Sequence, residues 1–160
     1  MKPVATALAA GLALFAAQTA KAQHMIAGYP VFCNDFRGLP VQLIVDPTLN
    51  DVGMATLDAF GRPIMLLNPR VLQGLPPSLQ LFWYGHECAH HALGHVARRH
   101  LSNEAEADCW AVRTGRAQGW FPPQAFDGMI RMLGSNPGTP MGHLPGPERI
   151  RNMIICYNAP

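Results

Sequence analysis

The chain has 160 residues, which is the usual size of a single domain. Of its 12 Lys and Arg residues, two are lysines at positions 2 and 21, and the 10 arginines that follow equal the 10 Asp and Glu in number. Residues 23–160 are therefore neutral when histidine is uncharged. No basic patch indicates a nucleic acid or an anionic membrane surface as partner, and we expect neither.

The first 22 residues are typical of a secretory signal peptide. Lys2 gives a positive start, an apolar run of about 14 residues begins at Val4, and Ala20-Lys21-Ala22 fits a small-x-small cleavage site. The run is too short to span a bilayer comfortably. We expect cleavage after Ala22, leaving one domain of residues 23–160 in the periplasm or outside the cell, without a membrane span. An uncleaved anchor or a first core helix is the alternative.

Short strands are predicted in the first half of the domain. Residues 24–40 are expected to be irregular because glycine and proline recur in them. Residues 41–45 form an apolar run that Asp46-Pro47 ends, which predicts a strand. Residues 54–60 and 64–67 flank Gly61-Arg62-Pro63 and predict a hairpin.

Helices are predicted in the second half, where apolar residues recur at spacings of three and four. The first begins after two prolines, with Ser78 as its N-cap, and the second follows a cap at Ser102 or Asn103. Gly85 and Gly94 in the first helix could let another backbone approach closely. The predicted helices cover residues 79–98, 103–118, 123–133 and 148–156, with a loop over 135–147. The fold class is α+β, a short antiparallel sheet packed on helices.

Four cysteines, at positions 33, 88, 109 and 156, can form two disulfides in an oxidising compartment, with three possible connectivities. Cys33 with Cys156 would join the ends of the domain. Cys88 with Cys109 would join two helices, although Cys88 points about 200° away from His86 on the same helix. A further alternative is that Cys88 is a buried free thiol, so the sequence leaves the disulfide pairing undecided.

Residues 86–90, His-Glu-Cys-Ala-His, are the most informative segment of the chain. His86 and His90 are separated by about 40° around a helix, so both imidazoles project from one face. Two neutral imidazoles there can hold one zinc ion, and Glu87 can act as base toward a water at the metal. Because short motifs recur by chance, the interpretation requires a third ligand.

Glu104 is the candidate third ligand, since catalytic zinc normally has three protein ligands and one open position. Glu104 and Asp108 are four apart and share a helix face. Asp108 can accept a hydrogen bond from the second ring nitrogen of a ligand histidine and so fix its tautomer. The competing interpretation is an acidic first turn that only stabilises its own helix. Glu106 is expected in solvent.

The remaining histidines of this region lack the spacing of ligands. His91 is expected to face solvent because it lies about 100° from His90. Another family of zinc peptidases has its third histidine where this chain has Val96. His95 and His100 are not expected to contact the metal.

These residues carry a family resemblance. The pattern of His86 to His90, followed by Glu104-x-x-Ala107-Asp108, resembles the gluzincin metallopeptidases. The tail His143-Leu144-Pro145-Gly146-Pro147-Glu148-Arg149-Ile150 resembles that of the family holding the CAAX prenyl protease, the bacterial heat-shock membrane protease and the periplasmic outer-membrane-assembly protease. Asp58-Ala59-Phe60 and the strand after it are similar to that family's Asn-Ala-Phe and edge strand. The resemblance covers about residues 55 to 155.

The resemblance implies a small zincin-like core holding one zinc ion on His86, His90 and Glu104. The implied activity is that of a zinc endopeptidase, which hydrolyses a peptide or an unfolded protein through a zinc-activated water, with Glu87 as base. His143 would stabilise the oxyanion or contact zinc at rest, and Arg149 would anchor the loop or neutralise the oxyanion. An edge strand would pair with the substrate; its residues would be Ile64, Met65, Leu66 and Leu67.

A protein of another class would fit the same metal site: a zinc-holding chaperone or interaction module with little turnover. Glu87 favours the enzyme, since a binding module does not need a base. The small size and the short interval between His90 and Glu104 favour a restricted or latent activity. The sequence carries no pattern that indicates an oligomeric state.

Overall fold

The computed structural model describes residues 24–98, 103–138 and 143–160. These ranges form a β-hairpin, a three-stranded sheet and six helices, which confirms the predicted α+β class. The predicted signal peptide lies outside the described residues and stays a prediction. None of the helices in the described ranges has both the length and the hydropathy of a membrane span.

A hairpin stands where the sequence predicted irregular chain. Strands β1 (His24–Ile26) and β2 (Tyr29–Val31) pair antiparallel. The two residues between them, Ala27 and Gly28, both have positive φ, of 49° and 84°. A two-residue turn of this kind matches the twist of the strands. The prediction was wrong because alanine at the first turn position gives no local signal for it.

The three-stranded sheet consists of β3 (Gln42–Val45), β4 (Gly53–Leu57) and β5 (Pro63–Leu67), in the order β3-β5-β4. The predicted strand and the predicted hairpin are confirmed, since β4 and β5 pair antiparallel. However, β3 pairs in parallel with the other side of β5. The predicted substrate edge strand, Ile64 to Leu67, is therefore the central strand, and the prediction of an edge was wrong. Both flanks of β5 are occupied by backbone hydrogen bonds, and β4 is an edge.

Six helices follow the sheet, and two predicted boundaries need correction. Ser78 is not an N-cap, because Pro76 occupies that position and the helix begins at Pro77, where a proline lacks only a donor that would be unpaired anyway. The first predicted helix stops at Ala92 rather than residue 98, since Gly94 has a φ of 76°. The helices are α1 (Pro69–Leu72), α2 (Pro77–Ala92), α3 (His95–Arg98), α4 (Glu104–Ala117), α5 (Pro123–Gly134) and α6 (Gly146–Asn158).

Helix α2 is the central element, because it packs against both the sheet and α4, and α6 packs against α4. A Cβ on Gly85 would lie 3.4 Å from the Cβ of Ala111, which is an ordinary van der Waals contact, so α2 and α4 meet at these two small residues. The buried core gathers around this contact; its fully buried apolar side chains include Phe82, Val112, Met129 and Met153. Burial of α2 on most of its circumference holds the histidine motif rigidly.

Two disulfides fix α2 and α4 to their surroundings. Cys33 bonds Cys88 and so ties the loop after β2 to α2, and Cys109 bonds Cys156 and ties α4 to α6. Their Cα–Cα separations of 5.6 and 5.3 Å are usual for disulfides. Neither pair considered from the sequence forms. Cys88 bonds a cysteine in the loop after β2, which lies 55 residues away in the sequence, so spacing within the helices could not indicate this pair.

Two glycines, one in α4 and one in α5, provide a matched test of how tightly α4 packs against its surroundings. A Cβ on Gly115 in α4 would lie 2.0 Å from Phe121, whereas the nearest atom to a Cβ on Gly128 in α5 is a flexible Arg131 nitrogen at 4.0 Å. Gly115→Ala should destabilise the fold by about 1–3 kcal/mol through overpacking. Gly128→Ala should stabilise it by about 0.4–1 kcal/mol through helix propensity. Urea unfolding of both variants with intact disulfides measures the change in the free energy of unfolding. Equal changes would contradict close packing of Phe121 against Gly115.

Candidate metal centre

The three predicted ligands come together. His86 and His90 project from one face of α2 with their Nε2 atoms 3.1 Å apart. Glu104, the first residue of α4, places its Oε2 3.2 Å from His86 Nε2 and its Oε1 3.2 Å from His90 Nε2. Ligand atoms at the corners of a tetrahedral zinc site with bonds of 2.0–2.1 Å would be about 3.3 Å apart. The two imidazoles and the carboxylate therefore fit a zinc ion in chemistry and in spacing.

His86 is held from behind by two further side chains. Its Nδ1 lies 2.8 Å from Asp108 Oδ1, the contact that the sequence predicted for Asp108. Arg149 donates hydrogen bonds of 2.6 and 2.7 Å to the two oxygens of Asp108. These contacts leave Nε2 of His86 directed at Glu104 and His90, which is the side that a metal would occupy.

Arg149 lies behind Asp108, among buried aromatic side chains. The side chain is fully buried, and its guanidinium lies 4.7 Å from the ring of Trp83 and 5.3 Å from that of Phe82. Of the two roles that the resemblance implied, this placement favours anchoring. The residue holds Asp108 and, through α6, the segment that carries His143.

Glu87 is tethered by one oxygen and unpartnered at the other. Its Oε2 accepts a hydrogen bond of 2.8 Å from the backbone N–H of Ala55 in β4. Its Oε1 is buried and has no hydrogen-bond partner in the structure. A Cβ on Gly53 would lie 2.8 Å from Glu87 Cγ, so this glycine makes room for the carboxylate. The arrangement leaves one oxygen of the candidate base unpartnered, 3.9 Å from His143 Nε2.

His143 lies over the ligands and is itself buried. Its Nδ1 is 2.9 Å from Glu104 Oε2, and its Nε2 lies between Asp51 Oδ2 at 3.8 Å and Glu87 Oε1 at 3.9 Å. The predicted tail histidine is thus beside the candidate metal centre. Residues 139–142, just before it in the chain, lie outside the described ranges.

One prediction about a single residue, that for His91, is wrong. His91 is buried rather than exposed, and its Nε2 lies 2.9 Å from the backbone oxygen of Ile64, which joins α2 to β5. Asp58 accepts hydrogen bonds from the N–H groups of Phe60 and Arg62, so it stabilises the β4–β5 turn. The prediction that Glu106 lies in solvent is confirmed, because its side chain is 67% exposed, and its Oε2 also lies 3.1 Å from His95 Nε2.

Two residues beside the site were missed. Asp51 is buried, and its Oδ2 has no hydrogen-bond partner in the structure; no local pattern indicates it, because it precedes β4 and approaches His143 only in the fold. His95 is 4% exposed and its Nδ1 lies 3.1 Å from His90 Nδ1. Gly94 could have signalled His95, since a helix break there changes which histidines share a face.

The charges of the site favour binding a cation. Burial alone would lower the pKa of His86, but hydrogen bonds with Asp108 and Glu104 raise the pKa to about 9. Burial would raise the pKa of Glu104, but hydrogen bonds with His143, His86 and His90 hold this pKa well below its usual range. The pKa of Asp108 is lowered against its burial by His86 and Arg149. Both carboxylates are therefore ionised at neutral pH.

A scan against protein-family models and searches of curated proteins and of solved structures find no match to this chain.

Zinc binding should release a proton at neutral pH. His86 has a pKa of about 9 in the metal-free protein, so it is protonated at pH 7 and must lose its Nε2 proton to become a ligand. Apparent zinc affinity should rise between pH 6.5 and 8.5, by about tenfold per pH unit for one proton. Calorimetry in buffers of different ionisation enthalpy counts the protons. Asp108→Asn should lower the pKa of His86 and therefore release fewer protons on zinc binding. A wild-type zinc affinity that is independent of pH would contradict His86 as a ligand that must first lose a proton.

Proposed function

We propose that the protein is a zinc-dependent endopeptidase. The observation that carries the proposal is the position of Glu87. One oxygen is fixed on β4, and the other is buried and unpartnered beside three atoms spaced as zinc ligands. A site that only stored or displayed a metal would have no use for this carboxylate. The site's chemistry is that of metal-assisted hydrolysis.

His86, His90 and Glu104 would hold the zinc ion, two neutral imidazoles and one carboxylate being a common catalytic set. Zinc, when bound, supplies Lewis acidity that polarises a carbonyl and makes a water more acidic. With three protein ligands a zinc ion would have a further coordination position for water, and Glu87 and His143 lie beside the candidate ligand His86. Asp108 and Arg149 would keep His86 in the tautomer whose Nε2 is free to bind the metal.

Glu87 would take the proton of the attacking water at Oε1 and pass it to the leaving amine. Its Oε2 would remain on the Ala55 N–H throughout, so the carboxylate does not have to be oriented again between the two transfers. His143 Nε2 is the ring nitrogen that does not face Glu104. It is placed to contact the carbonyl oxygen of a bound peptide as negative charge develops there.

An extended substrate would pair with β4 rather than with β5. Backbone groups alternate sides along a strand, and the Ala55 N–H points away from β5 to reach Glu87. The same edge therefore runs past the candidate base. A peptide added to it would carry its scissile bond close to Glu87, with backbone hydrogen bonds that do not select a sequence. Unfolded proteins and extended peptides fit this mode of binding.

Periplasmic or extracellular action is part of the proposal. Two disulfides in a chain of 160 residues are typical of an oxidising compartment. The predicted signal peptide of residues 1–22 supports the same location.

Replacing Glu87 tests the proposal directly. Glu87→Gln preserves an acceptor for the Ala55 N–H and leaves the three ligands intact, but it cannot take a proton. Cleavage of a fluorescently labelled unfolded protein should fall by at least about 100-fold with bound zinc unchanged. Glu148→Gln is the matched control, since Glu148 is exposed in the first turn of α6; its activity should equal that of wild type.

Metal content and cleavage are measured on the same samples. Wild type and Glu87→Gln that both hold zinc and cleave equally little would replace the enzyme with the zinc-holding chaperone or interaction module. Wild-type protein without stoichiometric zinc would reject both.

A further inference from the structure

We propose that His95 and Glu106 position the candidate ligand His90, as Asp108 and Arg149 position His86. The inference rests on the proposed zinc site, in which neither His95 nor Glu106 was predicted to take part. His95 would not contact the metal. It would hold the imidazole of His90 from the side opposite the ligand atoms.

The contacts form a continuous chain from α2 through α3 to α4. His90 Nδ1 lies 3.1 Å from His95 Nδ1, and His95 Nε2 lies 3.1 Å from Glu106 Oε2. The two rings are steeply inclined, with an interplanar angle of 68°. His95 is buried, whereas the side chain of Glu106 is 67% exposed. The chain thus begins at the candidate metal centre and ends in a carboxylate at the surface.

The hydrogens of this chain can be placed in only one way when His90 is a ligand. Its Nε2 faces His86 and Glu104 and must be free of hydrogen to bind a metal. Its single hydrogen is then on Nδ1 and donates to His95 Nδ1. A neutral His95 that accepts there carries its own hydrogen on Nε2, which donates to Glu106. Each hydrogen has an acceptor, and the carboxylate fixes both tautomers.

The backbone is built for this contact. Residues five apart in a continuous helix are separated by about 140°, so the rings of His90 and His95 could not meet. The left-handed Gly94 ends α2 and redirects the chain, which lets α3 present His95 toward His90. The turn is packed as well, because Phe36 donates its N–H to the His91 oxygen and its ring would lie 3.3 Å from a Cβ on Gly94.

A structural cross-link between α3 and α4 would show the same contacts but a different response to mutation. It would lower the stability of the zinc-free protein and leave the zinc affinity of folded molecules unchanged. A positioning role lowers zinc affinity even where the zinc-free protein keeps its melting temperature. It is also rescued by a side chain that restores the acceptor.

The test measures zinc dissociation constants by competition with a chelating dye, together with the melting temperature of the zinc-free protein. His95→Ala should weaken zinc binding by about 10-fold or more, the usual effect of losing a group that orients a ligand. His95→Gln should recover most of the affinity, since its amide oxygen can accept from His90. His24→Ala, on exposed strand β1, is the matched control and should bind zinc like wild type.

Glu106→Ala decides the matter if His95→Ala does not fold, because Glu106 is exposed enough to be replaced without loss of core. It should weaken zinc binding by a few-fold. Unchanged affinity in folded His95→Ala, or in Glu106→Ala when the former is unfolded, overturns the inference. In that case the wild type still binds zinc, and the proposed function is untouched. Wild-type protein that binds no zinc overturns both together.

Discussion

The candidate site depends on one buried charge pair, Asp108 with Arg149. Both side chains are fully buried, and the guanidinium bonds both oxygens of the carboxylate. Removing such charges from water costs several kcal/mol per ion. The two hydrogen bonds between them offset part of this cost, while Arg149 Nη1 is buried without a hydrogen-bond partner. His86 completes the set by bonding Asp108. Because the three residues lie on α4, α6 and α2, one contact fixes the relative positions of three helices around the ligand face.

The rest of the site is arranged around a fixed α2. One side of the helix is held by the Cys33–Cys88 disulfide, and the other closes on α4 where Gly85 meets Ala111. The edge strand β4 touches the motif itself, because its Ala55 N–H binds Glu87. In the proposed hydrolysis, a base that is tethered in advance would need little reorganisation when a proton moves. The scaffold thus orients the candidate ligands and Glu87 from different directions.

The two candidate histidine ligands are supported unequally. His86 contacts the buried carboxylate of Asp108 directly. His90, in contrast, reaches the exposed carboxylate of Glu106 only through the imidazole of His95. A buried anchor has a low local dielectric and acts strongly, while a carboxylate at the surface is screened. The His90 side of the site is therefore the more adaptable one, and it lies beside the redirection of the chain at Gly94.

The sequence by itself determined what depends on local geometry. Helical spacing predicted that His86 and His90 share one helix face and that Glu104 and Asp108 share another. The Gly-Arg-Pro segment predicted the β4–β5 hairpin. Only the tertiary structure decided what depends on distant segments meeting. It placed β3 beside β5, paired Cys33 with Cys88, and brought Asp51 to His143. Such contacts follow from the packing of the whole chain, and no spacing within a short segment encodes them.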